Sequence, residues 1–171
     1  MSKNKSTKRK QQLQERSINE SFKFQVLWER NRKAPEVSDD NLLLMAEMES
    51  VCSLGLAKDF LTLRDIVVGV AKDKGIEPVS ERCSLKGSFI SYLLGITSRN
   101  PAEQESLDLS LADKENISLP FQVEVYYDND VRNEVVSWVK ERYEGVTTRL
   151  GQPILKLEKM VVHFRRVVKK I

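Results

Sequence analysis

The sequence predicts an α+β domain, a small mixed sheet with helices packed on it, that follows a basic arm. Several segments repeat apolar residues at helical spacing, whereas the segment 119–127 alternates and is rich in β-branched residues. A chain of 171 residues with 40% hydrophobic residues can bury one core. We therefore expect residues 1–35 to form the arm and residues 36–171 to form a single folded domain.

The arm is distinguished by its charge and by its lack of apolar residues. Residues 1–35 carry ten Lys or Arg and three Asp or Glu, a net charge of +7, while residues 36–171 carry 18 and 22, a net charge of −4. Residues 1–19 are almost devoid of apolar side chains and are predicted to be largely disordered. An apolar cluster from Phe22 to Trp28 is expected to dock on the domain. The arm indicates either non-specific binding to DNA phosphates or a solubilising tail. The basic residues predicted to contact DNA are Lys3, Lys5, Lys8, Arg9 and Lys10.

The elements of the domain follow from periodicity and from turn residues. Pro35 and the Ser38-Asp39-Asp40 cluster mark a boundary and a helix cap, and Gly75 is typical of a helix C-terminus. Polar residues 98–118 contain Pro101 and predict a long loop. Helices are expected over residues 41–52, 59–72, 84–94, 131–143 and 153–170, and strands over residues 76–79, 119–127 and 146–148.

Several classes of function are disfavoured by composition. No run of 18 apolar residues is present, so no membrane span is predicted, and the polar N-terminus is unlike a secretory signal. Cys52 and Cys83 lack metal-ligand spacing, which favours a cytoplasmic protein with reduced thiols. His163 is the single histidine, which disfavours a histidine-rich metal site. We expect no metal, no cofactor and no membrane partner, and the sequence leaves self-association open.

One family resemblance is specific. Residues 82–97 read R-C-S-L-K-G-S-F-I-S-Y-L-L-G-I-T. This segment resembles G-R-G-S-A-A-G-S-L-V-A-Y-L-L-G-I-T in the palm of bacterial C-family DNA polymerases, the replicative alpha subunits. Upstream, residues 55–67 look like the family's G-F-A-D-Y-F-L-I-V-W-D-I-V, and residues 71–76 are similar to its A-K-E-N-G-I. The resemblance covers roughly residues 40–171 and implies a nucleotidyltransferase-like, polymerase beta-like palm.

The same resemblance implies a phosphate site that has been altered. In the family, a glycine-rich turn and a helix N-terminus hold the incoming triphosphate, because glycine admits close approach and a helix N-terminus attracts anions. Here Glu81 and Cys83 stand where the family has glycines. Residual phosphate binding and a solvated helix start capped by Ser84 remain alternatives. The residues that would bind phosphate are Arg82, Ser84, Lys86 and Ser88.

Downstream, the positions of the catalytic metal ligands are also changed. The family has P-D-I-D-x-D-F followed by a helix reading R-D-x-V-I-x-Y-V, and this chain has F-Q-V-E-V-Y-Y followed by R-N-E-V-V-S-W-V. Matched from that helix backwards, the three metal-binding Asp positions become Gln122, Glu124 and Tyr126. Two-metal catalysis needs several carboxylates, and Mg²⁺ prefers charged oxygen ligands. We therefore expect a vestigial metal site, and we interpret Glu124 with Asp128 and Asp130 as solvated carboxylates rather than as a new metal cluster.

The polar loop contains a second weak motif. Residues 104–109 read Q-E-S-L-D-L and resemble the glutamine-led peptides by which replication proteins dock on the bacterial sliding clamp. Such peptides place apolar anchors in a preformed pocket while the glutamine fixes orientation. The predicted partner-binding residues are Gln104, Leu107 and Leu109, with the sliding clamp as first choice of partner.

The sequence thus favours a replication-associated binding protein without polymerase activity, built on a degenerate palm. A family palm carries a further catalytic Asp downstream, and we expect neither this Asp nor fingers and thumb in a chain that ends at Ile171. A phage or mobile-element inhibitor of host replication would suit such decay. Two alternatives are a divergent nucleotidyltransferase that uses Ser88 and Glu124, and a structural subunit of a split polymerase.

Overall fold

A computed structural model describes residues 2–79, 88–98, 100–101 and 111–167. Five helices and four strands are described, together with a single 3-10 turn at Lys114–Asn116. In chain order they are α1 Ser2–Lys33, α2 Leu42–Ser53, α3 Ala57–Lys74, α4 Phe89–Leu93, β1 Phe121–Asp128, α5 Arg132–Arg142, β2 Val146–Arg149, β3 Gln152–Lys156 and β4 Met160–Val167.

The four strands form one mixed sheet in the order β1-β4-β3-β2. β1 and β4 run parallel, with Glu124 paired to His163 and Tyr126 paired to Arg165. β4 is antiparallel to β3, and β3 is antiparallel to β2. β4 therefore lies in the interior of the sheet and fixes the position of β1.

The helices cover one face of this sheet. Side chains alternate along a strand, and on β1 the inward set Val123, Val125 and Tyr127 is fully buried. Met160, Val162 and Phe164 form the corresponding buried set on β4. They share one core with residues such as Phe60 of α3 and Val139 of α5. The other face of β1 and β4 is left open to solvent.

The expected α+β class, the small mixed sheet and most elements are confirmed. α2, α3, α5, β1 and β2 lie where the sequence places them within a few residues, and Gly75 ends α3 with a positive φ of 67°. The strand expected at 76–79 is not formed, although the Val79 amide donates to the Tyr126 carbonyl at 2.7 Å. α4 begins at Phe89, and the expected residues 84–87 lie outside the described residues. The same holds for residues 99 and 102–110 of the loop predicted over 98–118.

The helix predicted over residues 153–170 is wrong, because the described residues up to Val167 form β3 and β4; residues 168–170 lie outside the described residues. The two strands connect through Leu157, Glu158 and Lys159, and the Leu157 amide donates to the Met160 carbonyl at 2.8 Å. Burial along β4 then alternates with period two through Val162 and Phe164. Pairing with β1, more than 30 residues earlier in the chain, overrides the local apolar spacing that favoured a helix.

The expected disorder of the N-terminal arm is also wrong, because α1 is one helix of 32 residues. Lys, Arg, Gln and Glu are good helix formers, and a lack of apolar residues does not forbid helix formation. The second half of α1 is anchored in the core by Phe22 and Val26, both with 0% exposure. None of the described helices is long and apolar enough to cross a membrane.

Candidate functional site on the open face of the sheet

The positions matched to metal ligands lie together on the open face of β1. Gln122, Glu124 and Tyr126 alternate with the buried residues of the strand, so their side chains project away from the helices. Val161, His163 and Arg165 of β4 lie beside them, because the two strands are parallel and in register. The structure thus brings the three predicted positions into one surface.

The Gln122 side chain forms a hydrogen bond with the neighbouring His163. Its Oε1 lies 2.7 Å from His163 Nε2, so the imidazole donates that hydrogen bond from its Nε2. Burial, followed by the positive charge of Arg165, lowers the pKa of His163, and Glu124 acts in the opposite direction. The imidazole therefore stays neutral at neutral pH. The position matched to the first metal ligand thus holds a neutral amide–imidazole pair.

Glu124 is engaged at both oxygens. The Tyr126 hydroxyl donates to Oε2 at 2.7 Å, and Arg165 Nη2 donates to Oε1 at 3.3 Å. The carboxylate and the guanidinium are both about one-third exposed, at 37% and 31%. A cation at Glu124 would have to displace the arginine, and the residues at the second and third matched positions are hydrogen-bonded to each other.

The acidic residues that follow Glu124 are too distant along the chain to share a metal with it. Asp128 is on the same face of β1, but it lies four residues on, or about 13 Å along the strand. Asp130 follows in the turn before α5. Over the described ranges, no group of three His, Cys, Asp or Glu is arranged to hold a metal ion.

The open face carries positive charge around a shallow apolar groove. The groove has a volume of about 460 Å³, and Ile154 and Val161 contribute to its floor. Arg149, Lys156 and Arg165 lie along it. In this arrangement cationic side chains line the surface beside Gln122 and His163.

The predicted phosphate site is described only at Ser88. The Ser88 hydroxyl caps α4 by accepting from the Ser91 amide at 3.1 Å. The amides of Phe89 and Ile90 both donate to Glu47 Oε2, at 3.0 and 3.1 Å. A protein carboxylate therefore occupies the helix N-terminus, and a phosphate would have to compete with it. Arg82, Ser84 and Lys86, with Glu81 and Cys83, lie outside the described residues.

Three buried carboxylates, Glu29, Glu47 and Asp59, were missed from the sequence. Glu47 is fully buried on α2, and Asp59 of α3 is 2% exposed. Asp59 Oδ2 accepts from the Lys159 amide at 2.7 Å and so ties the β3–β4 turn to α3. Desolvation raises the pKa of Asp59, against these backbone hydrogen bonds. Helical spacing could have indicated that Glu47 is buried, because it falls among the apolar residues Leu44, Met48 and Val51 of α2.

The remaining predicted residues divide between α1 and the undescribed loop. Lys3, Lys5, Lys8, Arg9 and Lys10 are all exposed on the first turns of α1. Gln104, Leu107 and Leu109 lie outside the described residues, so the clamp-like peptide stays a prediction.

Comparisons with known proteins converge on one family. Residues 8–160 match the model of a family described as the bacterial DNA polymerase III alpha NTPase domain. The chain is 32% identical over 123 residues to an error-prone DNA polymerase of Ruegeria pomeroyi, covering 72% of this chain and 10% of that protein. It is 35% identical over 116 residues to an error-prone DNA polymerase of Anaeromyxobacter sp., covering 68% and 10%.

A replicative relative gives a similar result. The chain is 29% identical over 97 residues to DNA polymerase III subunit alpha of Mycobacterium tuberculosis, covering 57% of this chain and 8% of that protein. The chain thus spans about a tenth of the length of the curated relatives that it matches.

Proposed function

This chain belongs to the bacterial DNA polymerase III alpha NTPase domain family, and from that premise we propose that it is a non-catalytic, replication-associated binding protein. Family membership confirms the C-family resemblance read from the sequence and supports an association with DNA replication. We take the four-stranded sheet to be the remnant of a palm, and we place the protein in the cytoplasm with the replication machinery.

One observation carries the non-catalytic part of the proposal. Glu124, the carboxylate that remains at the three matched metal positions, is held by Tyr126 and Arg165, while Gln122 is bound to His163. Two-metal phosphoryl transfer requires carboxylates that clamp two cations about 4 Å apart. Each of the three positions instead has a partner from the protein itself, which supports a surface used for recognition rather than chemistry.

The proposed partner is a bacterial replication protein, with the sliding clamp as first choice, and DNA is a second, non-specific partner. The clamp proposal rests on the glutamine-led segment 104–109. The DNA proposal rests on the exposed basic residues of α1 and on family membership. A surface that serves recognition also gives a reason for the fold to persist without its metal ligands.

Catalysis is tested by primer extension and nucleotide transfer with Mg²⁺ and with Mn²⁺. We expect no product above background from the wild-type chain. Glu124→Gln is the matched control, because it removes the charge and keeps the shape. Turnover that this substitution abolishes would contradict the non-catalytic proposal.

Metal binding is tested separately by titrating Mn²⁺ and following its electron paramagnetic resonance signal. The wild-type chain is expected to leave millimolar Mn²⁺ free, because Glu124 is already neutralised by Arg165. A variant with Gln122→Asp and Tyr126→Asp, which restores both carboxylates, should bind Mn²⁺ more tightly. Tight binding of two ions by the wild type would overturn the interpretation of this site.

The partner is tested with the immobilised full chain and purified sliding clamp. If the segment 104–109 is the anchor, Gln104→Ala combined with Leu107→Ala should weaken binding by about 2 kcal/mol or more, as for hot-spot residues. Retained clamp binding would place the contact elsewhere on the chain. A failure to retain the clamp or any other replication protein would refute the replisome proposal.

A further inference from the structure

The two halves of α1 have different surroundings. Residues 3–17 are exposed on every side, so this half projects from the domain as a helix without packing. The second half contacts the core through Phe22 and Val26. A helix of 32 residues is about 48 Å long, so the free half extends roughly 20 Å beyond the domain.

In the first half of α1 most basic residues lie on the side opposite the core. At about 100° per residue, five of the six basic residues between positions 2 and 17 fall within an arc of about 160°. Lys8 and Glu15 lie outside this arc, and Lys23 extends it towards the domain. Glu20 is the acidic residue within it and pairs with Arg16 at 3.3 Å. The basic residues of this outward face are Lys3, Lys5, Arg9, Lys10, Arg16 and Lys23.

The same outward face carries two exposed aromatic rings. Phe24 is 67% exposed and Trp28 is 58% exposed. Their rings stack across one turn of the helix, with centroids 6.2 Å apart and planes inclined by 26°. Leu13, 59% exposed, lies on the same side between Lys10 and Arg16. Three large apolar side chains are thus exposed to solvent beside a row of basic residues.

We propose that this outward face of α1 binds single-stranded nucleic acid, with phosphates on the basic residues and bases stacked on Phe24 and Trp28. The proposal rests on the DNA-binding part of the proposed function and names its form and its residues. Proteins that bind single strands combine a cationic track with exposed aromatic rings, because every base has a face that can stack. The track and the rings are here continuous along one helix.

Charge and shape disfavour the other occupants of such a face. A duplex would use the cations and leave both rings in water, because its bases are already stacked on each other. A second copy would bring two strongly basic faces together. A membrane surface requires a broad apolar side on the helix, and this face offers only Leu13, Phe24 and Trp28.

The experiment measures binding of the full chain to a labelled 20-nucleotide oligothymidine and to a duplex of the same length by fluorescence anisotropy. We expect tighter binding to the single strand. Phe24→Ala combined with Trp28→Ala should weaken single-strand binding by about tenfold or more and leave duplex binding unchanged. Both side chains are exposed, so the variant should keep its melting temperature. Leu42→Ala, which changes an apolar residue of α2 that is 84% exposed, is the matched control.

Two further measurements separate the rings from the cations. Trp28 is exposed whereas Trp138 is 6% exposed, so quenching of tryptophan fluorescence by oligothymidine should disappear in Trp28→Phe. Changing Lys5, Arg9 and Lys10 to Ser should weaken binding of both ligands. The same change should reduce the salt dependence by about 0.7 to 0.9 power of salt concentration for each phosphate that the protein no longer neutralises.

Equal affinity for both ligands, with no effect of the aromatic changes, would overturn this inference and leave non-specific DNA binding in place. Binding to neither ligand would overturn the DNA part of the proposed function as well. Self-association, or binding to anionic vesicles without binding to oligothymidine, would also overturn the inference that α1 binds single strands. The primer-extension and clamp experiments test the rest of the proposed function independently.

Discussion

The two faces of the β1–β4 pair differ in how closely their residues are constrained. On the helix side, Val123, Val125, Val162 and Phe164 are buried and close-packed in the core. On the open side, the positions matched to metal ligands hold Gln122, Glu124 and Tyr126, each joined to a neighbour by a hydrogen bond. Because side chains of one strand alternate between the faces, chemistry can be lost on one face while the other keeps the fold.

The largest expected effect compares adjacent residues of β4. Phe164 is 1% exposed on the helix side, and Phe164→Ala should lower the free energy of unfolding by about 3–5 kcal/mol through reduced burial and a cavity. His163→Ala on the open side should change it by less than about 1 kcal/mol. Urea unfolding of both variants measures the difference. Equal losses would show that the open face also carries the fold.

A second comparison uses one carboxylate from each environment. Glu47 is fully buried and accepts from the amides of Phe89 and Ile90. Glu47→Ala should cost about 1–3 kcal/mol for each buried amide left without an acceptor. Glu124→Ala should cost less than about 1 kcal/mol, because its ion pair with Arg165 is partly exposed. The urea-unfolding midpoints of the two variants test this ranking of stability losses. A larger loss of stability in Glu124→Ala than in Glu47→Ala would contradict it.

The smallest effect concerns the protonation of His163. Its folded pKa lies below the ordinary value of 6.5, chiefly through burial and secondly through Arg165. As pH falls from 6.5 towards that lowered value, the unfolded state binds more protons than the folded state, so stability falls. His163→Gln should remove this loss, which unfolding measured between pH 7.5 and 5.5 would detect.

The same pKa gives a direct test of the open face. His163 is the one histidine of the chain, so its NMR titration needs no assignment among histidines. Arg165→Gln should raise the pKa of His163, and Glu124→Gln should lower it. A pKa at or above 6.5 in the wild type would mean that the imidazole is not packed against Gln122 as described.

Local patterns were sufficient for elements whose partners are near in sequence. The apolar spacing of α3 and α5 and the alternation of β1 predicted these elements correctly, because each pattern marks the side of the element that is buried. β4 was not predicted, because Val161, Val162 and Phe164 fit both the helical and the strand period. Pairing with β1 decides between the two structures.

The same limit applied to α1 and to the site. Residues 1–19 were predicted to be largely disordered because few of their side chains are apolar, but a helix of Lys, Arg and Gln does not require burial. At the site, matching the strand from the following helix placed Gln122, Glu124 and Tyr126 on one surface. The partners Arg165 and His163 lay in the segment that had been predicted as helix, so their contacts could not be foreseen.

The interior position of β4 also determines when the protein can fold during its synthesis. β1 is complete at Asp128, but its strand partner begins only at Met160. Until then the nascent chain carries a strand with unpaired backbone groups and an apolar side, and such strands template wrong pairing with other chains. β3 likewise waits for β4 before it can join β1 in one sheet. The unfinished chain on the ribosome is therefore at greater risk of aggregation than the folded chain, in which β1 is paired with β4.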